Sequence, residues 1–327
     1  MSHFMPPFWL RNPHVQSILS SSPIRKAKLR NKARSWLQNS KSLLLKGEGG
    51  SNLIGYWNVS DKPNAPLAIL IHGWEGTAES GYLLSIANSL IQNGFQILRL
   101  TLRDHDISHH LNEELFHSCR LTEVVNAARD AIERIKPSST SMIGFSLGGN
   151  FTIRITHALS SEGLIEQSVA VCPVLMPQDT MHRLEHGPRI YHQYFKKKWL
   201  KSIRKKISLF PHVFKELPQQ HTRSLATLTD YFVEHHTDYA NSSAYFEGYS
   251  IRAEKLTNLK TPIHILMSRD DPIIDANLLQ SISELPNISV TYTDFGGHCG
   301  FIKNRQFESW ADDFIIETLK SGERLTN

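Results

Sequence analysis

The chain has 327 residues, of which 40% are hydrophobic and 20% are charged, and it carries a net charge of +5. This composition excludes a disordered, a collagen-like and a coiled-coil protein, and the length is sufficient to bury a large core. The three cysteines are far apart and odd in number, so we expect neither a disulfide framework nor a zinc knuckle, and we expect a reducing compartment. The N-terminus lacks the unbroken apolar run of a signal peptide, and no segment is apolar enough to predict a transmembrane helix. The sequence therefore predicts a soluble, cytoplasmic protein.

Residues 1–40 are moderately basic and are expected to form an irregular extension that packs on the core. Two strand-like segments follow, and the apolar run 65–73 then predicts a strand that is buried on both faces, as in a parallel sheet. From there to residue 177, and again over 256–327, apolar strands alternate with helical patterns of about a dozen residues. This alternation is typical of βαβ units.

Residues 178–255 interrupt the alternation, because they contain no buried-strand run and are helix-like and rich in His, Lys and aromatic residues. We therefore predict an α/β fold with a mostly parallel sheet flanked by helices. Residues 41–177 and 256–327 would form the core, and residues 178–255 would form an inserted helical cap.

A candidate nucleophile lies in the segment Gly144–Gly148, which reads GFSLG and matches the pattern G-x-S-x-G. The pattern places a serine on a sharp strand-to-helix turn, where flanking glycines allow the neighbouring chain to approach closely. The alternative is a Gly-rich helix start that contains a serine by chance. An apolar strand before Ser146 and an amphipathic helix after it favour the nucleophile.

A serine hydroxyl is a weak nucleophile near neutral pH and needs a base, which in turn needs an orienting group. Asp270 and Asp271 follow one predicted strand, and His298 follows the next strand, within the glycine-rich string GGHCG. These groups lie just past the carboxyl ends of strands, where open α/β sheets place their ligand sites. We favour Asp271 over Asp270 as the orienting acid because Pro-Ile-Ile follows it, and Asp270 would then shape the turn.

Acyl transfer also needs hydrogen-bond donors for the oxyanion. One predicted donor is the backbone N–H of Leu147, the residue after the candidate nucleophile. The other is the backbone N–H of Trp74, in the loop HGWEG that follows the strand at 65–71.

Six strings together resemble the YheT-like hydrolases of the α/β-hydrolase superfamily: RNPHVQSILSS, HGWEGTAES, RDHDISHHLNEELFHS, GFSLGGN, SRDDPII and FGGHCGF. They extend from residue 11 to about residue 302. The resemblance implies a serine hydrolase that cleaves carboxylic esters, either short acyl or lipid-like, with Ser146, Asp271 and His298 as its triad and no cofactor. Two alternatives remain open: an acyltransferase that uses the same acyl-enzyme, and a non-catalytic protein that binds a lipid or a partner.

Residues 104–117 contain four His and four acidic residues. His105 and His109 have a spacing that can place two metal ligands on one helix face, but the segment is more typical of a loop. We expect no metal here. We expect instead a hydrogen-bonded loop on the rim of the site, with Arg103 and Asp104 pairing locally.

Residues 189–206 contain eight Lys or Arg and no acidic residue. Their apolar side chains recur at helical spacing and continue to residue 207, in the order Tyr191, Phe195, Trp199, Ile203 and Ile207. We favour a lid helix that packs this stripe over the active site, and the alternative is a helix that docks on an anionic membrane. No nucleic-acid-binding motif accompanies the basic residues, and the sequence does not indicate an oligomeric state.

Overall fold

The computed structural model describes residues 4–214 and 216–323. Its sheet consists of β1 (Lys41–Lys46), β2 (Asn52–Asn58), β3 (Leu67–Ile71), β4 (Gln96–Thr101), β5 (Thr140–Phe145), β6 (Gln167–Val171), β7 (Ile263–Ser268) and β8 (Ile288–Thr293). The spatial order is β1-β2-β4-β3-β5-β6-β7-β8. Strand β2 runs antiparallel to both of its neighbours, and every other pair is parallel. The predicted α/β fold with a mostly parallel sheet is confirmed.

The helices are α1 (Pro13–Ser20), α2 (Pro23–Lys32), α3 (Arg34–Gln38), α4 (Gly81–Gln92), α5 (Leu121–Ile135), α6 (Leu147–Leu159), α7 (Pro177–His186), α8 (Arg189–Leu209), α9 (Leu225–His236), α10 (Ser242–Gly248), α11 (Gln280–Ser283) and α12 (Trp310–Glu323). Helices α4 and α12 share one hydrophobic core with the sheet, and α5 shares a second core with most of α6. The central strands β3, β5 and β6 are buried along their whole length, which explains their continuous apolar sequences.

The expectation that residues 1–40 are irregular was wrong, because this region contains α1, α2 and α3. The side chain of Asn12 accepts the backbone N–H groups of residues 14 and 15, and Pro13 occupies the first helical position of α1. Ser22 and Pro23 start α2 in the same way. Both dipeptides are ordinary helix-start signals, and they were visible in the sequence.

In the described residues between β6 and β7 lie the four helices α7 to α10, and we refer to residues 177–214 and 216–248 as the cap. On α8, Tyr191 and Ile203 are buried, while Phe195 and Trp199 are partly buried against the hydrophobic cores. The predicted limits of the inserted cap, 178–255, stay a prediction. Within the described residues, no helix is both long enough and apolar enough to cross a bilayer.

Candidate active site

Ser146 lies on a sharp turn between β5 and α6, with φ 56° and ψ −120°, a conformation that non-glycine residues rarely adopt. Its backbone N–H donates to the carbonyl oxygen of Val171 at 2.9 Å, which fixes the turn to the end of β6. A Cβ at Gly144 would collide with the carbonyl of Gly148, and a Cβ at Gly148 would collide with the carbonyl of Ile71. Both glycines are therefore required by close backbone approach, as the G-x-S-x-G pattern predicts.

The predicted nucleophile, base and acid lie together and form one hydrogen-bonded chain. The Nε2 atom of His298 lies 2.9 Å from the Oγ atom of Ser146, and its Nδ1 atom lies 2.8 Å from Oδ2 of Asp271. The other carboxylate oxygen, Oδ1, accepts the backbone N–H groups of Ile273 at 2.8 Å and Ile274 at 2.9 Å. Because a carboxylate only accepts, Nδ1 of the neutral imidazole carries the proton, and Nε2 accepts from the serine hydroxyl.

The electrostatic environment of His298 favours its charged form. Burial lowers the pKa of His298, but the negative charges of Asp271 and of the Cys299 sulfur, together with the hydrogen bonds to both groups, outweigh burial. The pKa of His298 therefore lies well above its ordinary value of 6.5. The side chain of Asp271 is fully buried and that of His298 is 10% exposed, so water screens their interaction weakly.

Asp270 does not contact the imidazole. Its Oδ1 atom accepts the backbone N–H of Gly297 at 2.8 Å and also the hydroxyl of Ser268. Its carboxylate thus ties the end of β7 to the loop that carries His298. Asp271 therefore contacts the imidazole and Asp270 binds within the turn, and the assignment of Asp271 as the orienting acid stays a prediction.

Two buried histidines hold the loop after β3. His105 accepts the backbone N–H of Glu75 at Nε2, at 3.0 Å, and donates from Nδ1 to the carbonyl of Arg103, at 2.7 Å. His72 accepts the backbone N–H of Leu102 at Nε2, at 3.2 Å. Burial lowers the pKa of His72 to about 4 and holds the pKa of His105 well below its ordinary value. Both imidazoles are neutral at pH 7, which their accepting role requires.

The two predicted oxyanion donors remain available in this loop and at the start of α6. The N–H of Gly73 donates to the Tyr82 hydroxyl at 3.0 Å, and the N–H of the residue after Trp74 is bound by His105. Among the described residues, no acceptor is found for the backbone N–H of Trp74 or of Leu147. Leu147 is the first residue of α6, where backbone N–H groups have no partner within the helix.

An apolar cavity opens beside Ser146, between the sheet and the cap. Aromatic and sulfur-containing side chains make up much of its wall, including Trp74, Phe116, Met181, Phe195, Trp199 and Phe232. The ring of Trp74 stacks on Phe195 with centroids 5.2 Å apart and meets the edge of Trp199 at 5.4 Å. The underside of α8 therefore forms part of the cavity wall.

The loop 104–117 anchors α8, and its predicted local pairing was wrong. Arg103 pairs with Glu123 at 2.6 Å instead of Asp104, and both partners are buried. Asp104 pairs with Lys206 of α8 at 2.7 Å, and Lys206 is fully buried. Lys206 also donates to two backbone carbonyls of the same loop. A buried carboxylate without a partner would be destabilising, which explains why α8 carries a lysine on the face that meets Asp104.

The histidines of residues 104–117 do not gather as metal ligands in the described part of the chain. His105 binds the backbone as described above, and His109 lies in the 3₁₀ turn Ser108–His110 with its Nε2 atom 2.8 Å from the hydroxyl of Ser202. The described residues do place the ligand atoms of Cys172, His298 and Cys299 within 4.8 Å of one another.

The sequence analysis missed the roles of two groups near the site. They are His105, which fixes the loop of Trp74, and Ser17, whose hydroxyl accepts the backbone N–H of His298 at 2.8 Å. The strings RDHDISHH and NPHVQSIL drew attention to these regions. No local pattern, however, shows which distant backbone group a side chain will contact.

Comparison with known proteins identifies the fold family of the chain. Residues 66–304 match the model of the alpha/beta hydrolase fold family. The chain is similar to the putative esterase YheT of Escherichia coli, with 22% identity over 249 residues that cover 75% of this chain and 73% of that protein. It is also similar to the monoacylglycerol lipase of Saccharomyces cerevisiae, with 22% identity over 78% of this chain and 59% of the lipase.

Solved structures show the same fold. The Pyrococcus furiosus esterase Pf2001 has a TM-score of 0.58 and 19% identity, over 86% of this chain and 90% of that one. Est1E from Butyrivibrio proteoclasticus with bound ferulic acid also has a TM-score of 0.58, at 16% identity, over 86% and 99% of the two chains. The family match, the strand order and the sharp turn at Ser146 together show that the chain belongs to the α/β-hydrolase fold family and is YheT-like within it.

Proposed function

We propose that the protein is a serine hydrolase that cleaves carboxylic esters through an acyl-enzyme on Ser146. The observation that carries the proposal is the continuous hydrogen-bond chain from Ser146 through His298 to Asp271, at 2.9 Å and 2.8 Å, beside an apolar cavity. A serine activated by an oriented imidazole is the arrangement that acyl transfer requires. Relatives described as an esterase and as a lipase support the same reaction class.

In the first half of the reaction, the hydroxyl of Ser146 attacks the ester carbonyl while its proton passes to Nε2 of His298. Asp271 keeps the imidazole in the tautomer that accepts this proton, and it stabilises the imidazolium that forms. The backbone N–H groups of Leu147 and Trp74 donate to the oxygen on which negative charge develops. His298 then donates its proton to the departing alcohol, which leaves an acyl group on Ser146.

In the second half, water attacks the acyl carbonyl while its proton passes to His298. The bond between the acyl carbon and Oγ of Ser146 then breaks, His298 returns the proton to Oγ, and the carboxylic acid is released. Every proton transfer in this scheme uses a side chain of the triad. An acyltransferase would follow the same path with another alcohol or a thiol in place of water. The relatives described as an esterase and as a lipase favour a hydrolase over an acyltransferase.

The cavity wall indicates an apolar acyl group. Trp74, Phe195 and Trp199 present aromatic surface close to Ser146, and burial of each methylene group contributes about 0.8 kcal/mol. We therefore propose short acyl to lipid-like esters as the substrate class. A strongly polar or charged acyl group would lose its hydration in this cavity without gaining partners.

The experiment is hydrolysis of a series of p-nitrophenyl esters of increasing acyl length by the wild-type protein and by Ser146→Ala. We expect the wild type to hydrolyse the series with a preference that rises with acyl length to an optimum, and Ser146→Ala to lose this activity. Intact-mass spectrometry after a rapid acid quench should detect one acyl group on the wild-type protein only. Equal turnover by both proteins would overturn the proposal.

A further inference from the structure

Helix α1 packs against the loop that carries His298. Three residues of this loop have left-handed backbone angles: Gly297 with φ 54°, Cys299 with φ 55° and Phe301 with φ 50°. Such a conformation is costly for the non-glycine residues and persists only where the surroundings enforce it. A Cβ at Gly297 would meet the carbonyl of Pro13 and the hydroxyl of Ser17, so the helix and the loop are in direct contact.

Two serines of α1 bind the backbone of this loop on either side of the imidazole. The hydroxyl of Ser17 accepts the backbone N–H of His298 at 2.8 Å and donates to the carbonyl of Pro13 at 2.7 Å. The hydroxyl of Ser20 donates to the carbonyl of Cys299 at 2.7 Å. Both serines are buried, so water does not readily replace these bonds.

The side chain of Gln16 holds the far end of the loop. Its Oε1 atom accepts the backbone N–H of Ile302 at 2.7 Å, and its Nε2 atom donates to the carbonyl of the same residue at 3.1 Å. Gln16 is completely buried, and it also donates to the carbonyl of Leu10 at 2.8 Å. The side-chain amide thus makes the same pair of hydrogen bonds that a neighbouring β-strand would make to Ile302. It also connects Ile302 to the N-terminal segment.

We propose that α1 positions the catalytic base, with Ser17 as the residue that fixes the backbone of His298. The inference rests on the proposed function, because it assigns a role toward the reaction of Ser146. Gln16, Ser17 and Ser20 all fall within the string NPHVQSILSS, so the helix gives a physical role to the N-terminal motif. Small displacements of a catalytic group reduce the rate strongly, and a helix that holds the loop at several points prevents them.

The test compares Ser17→Ala with Ser17→Thr and with Ser21→Ala. Ser21 lies at the end of the same helix, is exposed, and donates to the carbonyl of Ser17 without touching the loop. We expect Ser17→Ala to lower kcat about tenfold or more with little change in KM, because the N–H of His298 loses its buried acceptor. Ser17→Thr retains the hydroxyl and should recover most of this loss, and Ser21→Ala should match the wild type.

A spectroscopic readout separates positioning from general destabilisation. The proton between Nδ1 of His298 and Asp271 should give a downfield proton NMR signal that is absent in Asp271→Asn. We expect this signal to shift or broaden in Ser17→Ala at a temperature where the variant is fully folded. An unchanged signal and an unchanged kcat would overturn the positioning role. If Ser146→Ala retained the wild-type activity, the proposed function itself would fail, whatever Ser17→Ala does.

Cys172 directly follows β6 and Cys299 directly follows the base, and their sulfur atoms lie within 4.8 Å of each other and of a ring nitrogen of His298. Two cysteines and one histidine form a ligand set for a thiophilic cation such as Zn²⁺ or Cd²⁺. We infer that this cluster is an inhibitory metal site, whose occupation holds both sulfur atoms as thiolates and removes the base from the triad.

Binding of the metal to either ring nitrogen of His298 would inhibit the reaction. Coordination by Nδ1 breaks the hydrogen bond to Asp271, and coordination by Nε2 breaks the hydrogen bond to Ser146. Because Cys172 is fully buried and Cys299 is 6% exposed, we expect binding to develop slowly.

The test is incubation with Cd²⁺, followed both by the cadmium–thiolate charge-transfer absorbance and by residual esterase activity. Wild type and Cys119→Ala should gain the absorbance and lose activity together, and a chelator should reverse both changes. Cys172→Ala and Cys299→Ala should show neither effect at the same Cd²⁺ concentration. Absence of the absorbance in the wild type, or its persistence in Cys172→Ala, would overturn the inference.

Discussion

The assignment of the orienting acid can be tested by replacing Asp271 with Asn. In the wild type, Oδ1 of Asp271 accepts two backbone N–H groups, from Ile273 and Ile274, while Oδ2 faces Nδ1 of His298. The two N–H groups require an acceptor, so the amide oxygen of the asparagine should take the place of Oδ1. The amide NH₂ group then faces the imidazole and donates to Nδ1.

This donation forces the wrong tautomer of His298. With Nδ1 accepting, Nε2 carries the proton and can no longer remove one from Ser146, which lies 2.9 Å away. A change of this kind lowers kcat by up to about 10⁴-fold, or about 5.5 kcal/mol of transition-state stabilisation. The two backbone bonds are kept, so we expect the melting temperature to change far less than the rate.

Asp270→Asn is the matched control, because Asp270 is adjacent, is partly buried and binds the backbone without touching the imidazole. Its amide oxygen can still accept the N–H of Gly297, so we expect a loss of about tenfold or less. The assay is steady-state hydrolysis of a p-nitrophenyl ester, with the folded state of each variant checked by circular dichroism. A reversed order of the two losses would refute the assignment of Asp271.

The remaining predictions concern the base, the cavity and α8. Because the pKa of His298 is raised, kcat/KM should rise with pH as the free base forms, with a midpoint above 6.5, which a pH profile will measure. Trp74→Ala keeps the backbone N–H, so a series of acyl lengths should show altered preference and nearly unchanged hydrolysis of the acetate. Lys206→Met leaves Asp104 buried without its ion pair and should lower the free energy of unfolding by about 3–5 kcal/mol in urea titrations, whereas a methionine at the exposed Lys201 of the same helix should not. Docking of residues 189–206 on a membrane stays a prediction, and co-sedimentation with anionic but not neutral liposomes, lost at high salt, would support it.

Some of the basic residues of α8 contact the body of the protein, so fewer of them are available to bind a membrane. Lys198 donates to the carbonyl of Glu75 at 2.9 Å, and Lys205 donates to the carbonyl of Asp106 at 3.0 Å. Lys206 is buried, as described above. These lysines hold the helix on the body of the protein. Sequence alone connects a basic helix without acidic residues with membranes. In the structure, part of the positive charge of α8 instead makes contacts within the protein.

Much of the fold was predictable because its signals are local. The apolar runs of β3 and β5 and the glycines around Ser146 follow from the physical requirements of buried strands and of a tight turn. The choice of Asp271 over Asp270 depended on the three residues that follow it. In the structure, two of these residues, Ile273 and Ile274, supply the N–H groups that orient the carboxylate.

The contacts that were missed connect residues far apart in the chain. Ser17 and His298 are separated by 281 positions, and Lys206 and Asp104 by 102 positions. Hydropathy and spacing carry no information about such pairs, since each partner is an ordinary polar residue in its own segment. The wrong pairing of Arg103 with Asp104 has the same origin, because sequence analysis sees adjacent opposite charges and not the buried Glu123 that the fold supplies.

The most direct test of the proposed acyl-enzyme is covalent labelling with a fluorophosphonate probe, followed by peptide mapping in a mass spectrometer. Such probes phosphonylate a serine that a neighbouring base activates. The hydrogen-bond chain through His298 predicts one adduct, on Ser146, and no adduct in Ser146→Ala. Failure of the folded wild-type protein to react, or an adduct on another residue that persists in Ser146→Ala, would contradict the assignment of Ser146 as the nucleophile.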